Sequence, residues 1–259
     1  MSTTRNTIVT FADIVDTAAA TAREIPQITD THPLNVDEAY AVQSLSVQRR
    51  LARGERLVGY KMGLTSRAKM QQVGVSEVIW GRLTDAMRVE EGGAVSLARY
   101  VHPRVEPEIA FLMKAPLSGA VSNAEALAAV DAVAPALEII DSRYRDFKFA
   151  LPDVIADNSS SSGFVVGEWR KPDFDVGNIG IVLEADGRPV QVGSSAAILG
   201  HPIRSLVAAA RLIARSGEGI KPGQIILAGG ATAAHHLAPG MAVRGVFAGM
   251  GRVAFTVED

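Results

Sequence analysis

One strand pattern stands out in the sequence, His102-Pro103-Arg104-Val105-Glu106-Pro107-Glu108-Ile109-Ala110-Phe111. Successive side chains of a strand point to opposite faces, so Glu106 and Glu108 share one face while Val105 and Ile109 lie on the other. Two carboxylates side by side repel each other, and a divalent cation between them relieves the repulsion. Hard oxygen ligands at this density suit Mg²⁺ or Mn²⁺. A solvated acidic strand face is the alternative interpretation.

A third carboxylate strengthens the metal interpretation. Glu138 lies in the apolar run Ala134-Pro135-Ala136-Leu137-Glu138-Ile139-Ile140, and an ionised side chain in such a run needs a partner. A metal ion is one such partner. A buried salt bridge to Arg104 or Arg143 is the competing one.

Lys61 occupies an apolar, glycine-flanked strand pattern, Val58-Gly59-Tyr60-Lys61-Met62-Gly63-Leu64-Thr65-Ser66. Glycines in a strand let a ligand approach the backbone closely. Beside a bound oxyanion, a buried lysine would act as a proton donor or an electrostatic stabiliser. An exposed strand lysine is the alternative.

Two other polar segments carry weaker signals. The run Asp157-Asn158-Ser159-Ser160-Ser161-Ser162-Gly163 is typical of a turn. The pair His235-His236 is disfavoured as a metal site, because neighbouring side chains of an extended chain point apart.

The composition excludes several classes of function. Hydrophobic residues make up 47% of the 259 residues and charged residues 21%, which predicts a globular chain long enough for a substantial core. The 26 Lys+Arg and 28 Asp+Glu give a net charge of −2, so no global basic field exists to recruit nucleic acid or an anionic membrane. Cysteine is absent, which excludes disulfides, thiolate metal sites and cysteine nucleophiles. Motifs for nucleotide hydrolysis, dinucleotide redox and Ser-His-Asp catalysis are also missing.

The expected location is cytoplasmic. The N-terminal residues 1–6 lack the apolar core of a signal peptide, and no run approaches the ~18 uninterrupted apolar residues that span a bilayer.

We expect a small helical N-terminal region, residues 1–55, followed by one catalytic domain, residues 56–259. Asn35 and Glu38 have the spacing of a capping box, and Gly54 closes the predicted helix. Further helices are predicted from Ser122 to Ala134, stopped by Pro135, and over about 205–215.

Short β-rich runs dominate the rest of the chain, with a hairpin turn predicted at Asp186-Gly187. Strands grouped apart from helices favour an α+β fold. The predicted strands are Ile109–Met113, Phe164–Val166, Ile179–Leu183, Ile225–Leu227, Ala242–Phe247 and Val253–Val257.

Five motifs occur in order between about residue 35 and the C-terminus. They are G-Y-K-M-G-L-T-S at 59–66, H-P-R-V-E-P-E-I-A at 102–110, P-A-L-E-I-I-D-S-R-Y at 135–144, A-D-N-S-S-S at 156–161 and L-G-H-P at 199–202. This set resembles the hydratase/decarboxylase branch of the fumarylacetoacetase superfamily. The resemblance implies a mixed, rolled β-structure of the fumarylacetoacetase C-terminal-domain type behind the helical N-terminal region.

The same resemblance implies a set of site residues. Mg²⁺ or Mn²⁺ would be held by three carboxylates, and a lysine would be catalytic. The implied metal ligands are Glu106, Glu108 and Glu138, the lysine is Lys61, and the implied substrate contacts are Leu64, Asp157, Ser160 and Thr232. The segment 229–234 fits the family loop, but the following His235-His236 departs from the small apolar residues expected there.

The implied activity is the metal-dependent loss of CO₂ from an unsaturated 2-oxo dicarboxylate, (3E)-2-oxohex-3-enedioate, in the meta-cleavage pathway of aromatic catabolism. Hydration of 2-hydroxypenta-2,4-dienoate is the alternative. Hydratases of the family carry an acidic residue before an aromatic-glycine pair, whereas this chain reads Ile79-Trp80-Gly81. Ile79, in a loop at the distal end of the substrate, therefore favours decarboxylation.

The family also suggests an assembly, either a homo-oligomer or a complex with the pathway hydratase. From another class of function, the chain could be a metal-free binding module or a scaffold subunit. Four converging charges at Lys61, Glu106, Glu108 and Glu138 disfavour that interpretation.

Overall fold

The structure, a computed structural model, describes residues 5–66, 70 and 77–259. Its principal helices are α1 Arg5–Thr21, α2 Val36–Ala52, α3 Asn123–Ala128, α4 Leu151–Ala156 and α5 Pro202–Arg215. The strands are β1 Leu57–Gly63, β2 Ile79–Thr84, β3 Arg88–Val89, β4 Ala94–Ser96, β5 Arg104–Met113, β6 Val130–Ile140, β7 Ser161–Val166, β8 Gly180–Ala185, β9 Arg188–Ser194, β10 Ile225–Leu227, β11 His235–His236, β12 Ala242–Phe247 and β13 Gly251–Glu258.

The N-terminal helices are fastened to the sheet by a buried glutamine. α2 begins at the predicted capping box, in which Asn35 accepts the Glu38 N–H at 2.9 Å and Glu38 accepts the Asn35 N–H at 3.0 Å. From the middle of α2, Gln43 Nε2 donates to the carbonyls of Trp80 in β2 and Ile155 in α4, at 3.1 and 2.9 Å. α2 therefore fixes the backbone of β2.

The larger sheet has the strand order β2-β1-β10-β5-β6-β7-β3, with β11 also paired to β5. β1 and β10 run parallel, as do β3 and β7, and the other pairs are antiparallel. The two ends meet through Asn158, whose side-chain amide accepts the Arg82 N–H at 2.8 Å and donates to the Arg82 carbonyl at 2.9 Å. The sheet is thus rolled, and the predicted mixed α+β architecture is confirmed.

A second sheet, β4-β13-β12-β8-β9, packs through β12 and β13 on β6 of the first sheet. Its hairpin between β8 and β9 turns at the predicted Asp186-Gly187. Both residues have positive φ, 52° and 73°, as a two-residue primed turn requires.

The predicted helix from Ser122 to Ala134 is wrong beyond its first turns. Ser122 does cap α3 through a capping box with Glu125, but α3 ends at Ala128, and Pro135 lies inside β6. Ladder pairing with β5 from Val130 onward overrides the helix propensity of the alanines there. Pro135 lies beyond the last β6–β7 pair, where its missing N–H breaks no ladder hydrogen bond.

α5 is the core helix of the fold. It begins at Pro202, earlier than predicted, because proline suits the first position of a helix. By length and composition alone the stretch Ser195–Arg215 could cross a membrane, but 56% of its most apolar window is buried inside the protein. Its buried side chains join the same core as β5 and β10.

Candidate metal and substrate site

Three glutamates converge on the inner face of β5 and β6. Glu106 lies directly opposite Glu138 in the ladder, and Glu108 follows two residues later on the same face. One carboxylate oxygen from each residue lies within 4.8 Å of the others. Glu108 and Glu138 are fully buried, and Glu106 is 7% exposed.

The electrostatics of this group fit a hard divalent cation. Burial, and then the charge of Glu138, raise the pKa of Glu108 well above its ordinary value. Burial also raises the pKa of Glu138, although the charge of Lys61 acts in the opposite direction. Glu108 Oε1 and Glu138 Oε1 are buried and have no hydrogen-bond partner in the described part of the chain. Burying such oxygens without a partner is costly, and a cation bound to them would remove that cost. The three carboxylates therefore suit an all-oxygen site for Mg²⁺ or Mn²⁺.

Lys61 extends from β1 into the same group. Its Nζ lies 3.1 Å from Glu138 Oε2 and donates to the Ser159 carbonyl at 3.0 Å. With 4% of its surface exposed, Lys61 is buried, so the exposed-lysine alternative is wrong. An ammonium has three donors, and its contacts with described residues leave one for a bound oxygen.

The predicted competing partners of Glu138 are engaged differently. Arg143 pairs with Asp157, the two atoms Nε and Oδ1 being 2.5 Å apart. Arg104 stacks its guanidinium over the ring of Phe147. The ion pair of Glu138 is therefore with Lys61.

The turn that holds Lys61 is strained. Asn158, Ser159 and Ser160 all have positive φ, of 49°, 53° and 60°, and such a run persists only where the surroundings support it. Ser159 Oγ donates to the Trp80 carbonyl at 2.8 Å. A Cβ atom at Gly81 would lie 2.4 Å from the Asn158 carbonyl oxygen, so only glycine permits this close approach. These contacts with β2 thus position the Ser159 carbonyl, which accepts the hydrogen bond from Lys61.

Ile79 adjoins Lys61, although it lies at the start of β2 and the predicted loop is wrong there. It pairs with Gly63 across the β1–β2 ladder. A Cβ atom at Gly63 would lie 3.0 Å from Ile79 Cγ1 and 3.7 Å from Lys61 Nζ. The apolar side chain and the ammonium therefore border the same space.

The predicted substrate residues Ser160, Leu64 and Thr232 lie in three different environments. Ser160 is buried, and its Oγ has no hydrogen-bond partner among the described residues. Leu64 follows β1 with a φ of 56° and packs with Ile79 in one apolar cluster. Thr232 Oγ1 donates to the Ala233 carbonyl at 2.9 Å.

Asp157 is occupied by an internal partner. Its carboxylate accepts the Arg143 backbone N–H at 2.9 Å in addition to the side-chain contact. Burial raises the pKa of Asp157 to about 6, although Arg143 acts against that shift. The structure therefore joins Asp157 to Arg143 and does not place its carboxylate in the glutamate group.

Gly229 is a positioning residue that the sequence interpretation did not identify. Its N–H donates to Glu108 Oε2 at 2.6 Å. Its φ is 108°, and a Cβ atom there would lie 2.1 Å from Thr65 Oγ1. The glycine pair at 229–230 was the signal in the sequence that could have indicated this role. The contact between Gly229 and Glu108 joins residues far apart in the chain, so the sequence alone does not predict it.

No protein-family model matches the chain. A 4-oxalocrotonate decarboxylase from Pseudomonas sp. is 59% identical to it over 246 residues, which cover 95% of this chain and 96% of that protein. The chain belongs to the 4-oxalocrotonate decarboxylase family. This membership confirms the resemblance to the hydratase/decarboxylase branch.

Solved structures of the family agree with the fold. The 4-oxalocrotonate decarboxylase from Pseudomonas putida G7, complexed with magnesium and adipate, has a TM-score of 0.96 and 39% identity, with 99% of each chain covered. Fumarylpyruvate hydrolase from Pseudomonas aeruginosa shares the fold alone, with a TM-score of 0.63 and 13% identity over 77% of this chain and 88% of that one.

A 2-keto-4-pentenoate hydratase from Paraburkholderia xenovorans is 39% identical over 216 residues, 82% of this chain and 80% of that protein.

Proposed function

We propose that the protein is a carboxy-lyase that converts (3E)-2-oxohex-3-enedioate, or 4-oxalocrotonate, to 2-hydroxypenta-2,4-dienoate and CO₂ in the meta-cleavage pathway. The observation that carries the proposal is the buried group of three glutamates and one lysine, in a chain 59% identical to a decarboxylase of that name.

Glu106, Glu108 and Glu138 would hold Mg²⁺ or Mn²⁺, which withdraws electrons from the 2-oxo acid end of the substrate when it is bound. Magnesium in the solved Pseudomonas putida relative supports this choice of ion.

Lys61 stabilises the charge that the reaction creates. The C5–C6 bond breaks and CO₂ leaves. The bonding electrons form the C4–C5 double bond, the C3–C4 pair shifts to C2–C3, and the 2-oxo oxygen becomes negative and takes a proton. A buried ammonium already oriented by Glu138 and Ser159 stabilises that oxygen without reorganising during the reaction.

Ile79 favours decarboxylation over hydration. An apolar side chain beside Lys61 offers no group to activate a water molecule. It also disfavours solvation of the leaving carboxylate, whose charge spreads into the rest of the substrate as CO₂ departs.

Hydration remains the second candidate, because a hydratase is 39% identical over 82% of the chain. The deciding experiment supplies (3E)-2-oxohex-3-enedioate and 2-hydroxypenta-2,4-dienoate separately, with and without Mg²⁺. We expect Mg²⁺-dependent CO₂ release from the first and little hydration of the second. Hydration faster than CO₂ release would overturn the proposal.

We further propose that this cytoplasmic enzyme works as a homo-oligomer or together with a hydratase. Its product is a 2-hydroxydienoate, the kind of substrate named for a related 2-hydroxypent-2,4-dienoate hydratase from Pseudomonas putida. Light scattering on the purified protein, alone and mixed with the hydratase, tests both assemblies.

A further inference from the structure

Arg104 shares the inner face of β5 with the metal-ligating glutamates. It precedes Glu106 by two residues, or about 6.6 Å along a strand. Its partners in neighbouring strands are Ile140 of β6 and His236 of β11. Arg104 therefore borders the site on the side where β11 joins the sheet.

The guanidinium of Arg104 is oriented but not neutralised. Its Cζ lies 4.0 Å from the ring centroid of Phe147, and stacking on a ring leaves the N–H groups along the edge of the guanidinium available. Nε is buried and has no hydrogen-bond partner among the described residues, which also give Arg104 no ion pair within 4.0 Å. A buried donor of this kind is costly unless a ligand accepts from it.

Counted over the described residues, the charge of the site leaves room for a further cation. Three carboxylates, the Lys61 ammonium and a divalent ion carry no net charge together, whereas the proposed substrate is a dianion. Arg104 lies on the same face and supplies one positive charge in a planar form that matches a carboxylate.

We propose that Arg104 binds the carboxylate of the substrate's 2-oxo acid end, through Nε and a terminal N–H. This inference rests on the proposed function and names the residue that recognises one end of the substrate. Binding of Arg104 to the leaving carboxylate, at the other end of the substrate, would not help the reaction. The leaving carboxylate loses its charge as CO₂ forms, so a guanidinium there would stabilise the ground state more than the transition state. The 2-oxo acid end keeps its carboxylate charge and gains further negative charge on the 2-oxo oxygen.

The test measures binding, so it does not depend on turnover. Calorimetric titrations of the Mg²⁺-loaded protein use two probes, 2-oxopentanoate, which carries only the 2-oxo acid end, and adipate, which has two carboxylates and no oxo group. We expect Arg104→Met to weaken 2-oxopentanoate binding by about tenfold or more, the loss typical of one charge-assisted hydrogen bond. Arg104→Lys should restore part of it.

Two controls separate recognition from a structural role. Arg188→Met, at an exposed arginine on β9, should leave both affinities unchanged. Mg²⁺ affinity should stay within about twofold of wild type in Arg104→Met, since the three glutamates are retained. Unchanged 2-oxopentanoate affinity, a loss confined to adipate, or a parallel loss of Mg²⁺ affinity would each overturn the assignment. Failure of the proposed function would appear instead as absent CO₂ release by the wild-type enzyme.

Discussion

The ammonium of Lys61 is held by two groups of the protein itself. Glu138 and the carbonyl of Ser159 lie within 3.1 Å of Nζ, and the strained turn at residues 158–160 is itself supported by β2. A charge held in this way stabilises developing negative charge most effectively, because nothing must move during the reaction.

Lys61→Met is therefore expected to lower kcat about 10²–10³-fold, with a smaller effect on KM, as for the loss of one oxyanion stabiliser. Methionine retains an unbranched side chain of nearly the same length and removes the charge. Steady-state CO₂ release at saturating Mg²⁺ measures the effect, and Lys148→Met, at an exposed lysine, is the matched control. A near-normal kcat in metal-loaded Lys61→Met would show that the lysine is structural.

Ile79→Asp tests the decarboxylase assignment at a single position. We expect it to slow CO₂ release at least about tenfold, or ~1.4 kcal/mol in barrier. A carboxylate there repels the leaving carboxylate, admits water, and competes for Lys61 across Gly63. Ile79→Asn is the control, because asparagine has the shape of aspartate without its charge. It separates the effect of charge repulsion from the effect of altered packing. Unchanged decarboxylation in folded, metal-loaded Ile79→Asp would favour the hydratase alternative.

The sequence could indicate side chains at this site but not the backbone groups that hold them. Glu106, Glu108 and Lys61 stand out because charged residues interrupt strand patterns, which is a local signal. The Ser159 carbonyl and the Gly229 N–H act on residues about 100 positions away in the chain. Only the folded sheet brings these groups together.

The segment after β10 continues along β5 and acts as an outer support for the glutamates. Ala228 and Ala231 donate their N–H groups to the carbonyls of Ile109 and Pro107. Between these two contacts, the N–H of Gly229 donates to Glu108. The loop thereby fixes one oxygen of Glu108, while the other has no hydrogen-bond partner among the described residues.

Gly229→Ala is expected to weaken Mg²⁺ affinity by about 10–100-fold, the usual loss when a group that orients a metal ligand is disturbed. The positive φ and the contact with Thr65 both oppose a Cβ atom there. Calorimetry with Mg²⁺ measures the change. Gly187→Ala, which imposes similar backbone strain in a distant hairpin with open space around it, should leave Mg²⁺ affinity intact. A comparable loss in both variants would show that general destabilisation is responsible.

Elements with local signals were predicted well, and those defined by tertiary pairing were not. The capping boxes at Asn35 and Ser122 and the turn at Asp186-Gly187 are settled by residues a few positions apart. The alanine-rich run at 130–140 has no such local determinant, and it is a strand because it pairs with β5 along its length and with β7 from Ala136 onward.

Across the whole molecule, the N-terminal helices are linked through β2 to Lys61 and the three glutamates. Gln43 of α2 and the hydroxyl of Ser159 donate to the same Trp80 carbonyl. Ser159 in turn holds Lys61 beside the three glutamates. The helical region thus helps to close the rolled sheet around a cluster of buried charges, and a metal ion bound at that cluster as proposed would stabilise the folded chain.

Mg²⁺ should therefore stabilise the protein more at high pH than at low pH. Without metal, burial raises the folded-state pKa of Glu108 and Glu138 above the ordinary value of 4.5. The contribution of these groups to stability is full below that value and is lost as pH rises through the raised folded pKa. If Glu106, Glu108 and Glu138 hold Mg²⁺ as proposed, the ion binds their ionised carboxylates in the folded chain and offsets the loss.

The measurement is the increase in Tm on adding Mg²⁺, which we expect to be larger at about pH 8 than at about pH 5.5, because protons compete for the same oxygens at the lower pH. Comparing samples with and without Mg²⁺ at each pH cancels the titration of all other groups. Glu138→Gln should remove most of the increase at about pH 8, since one of the three proposed ligands loses its charge. An increase that is equal at both pH values, or one that survives in Glu138→Gln, would mean that Mg²⁺ stabilises the chain elsewhere than at these glutamates.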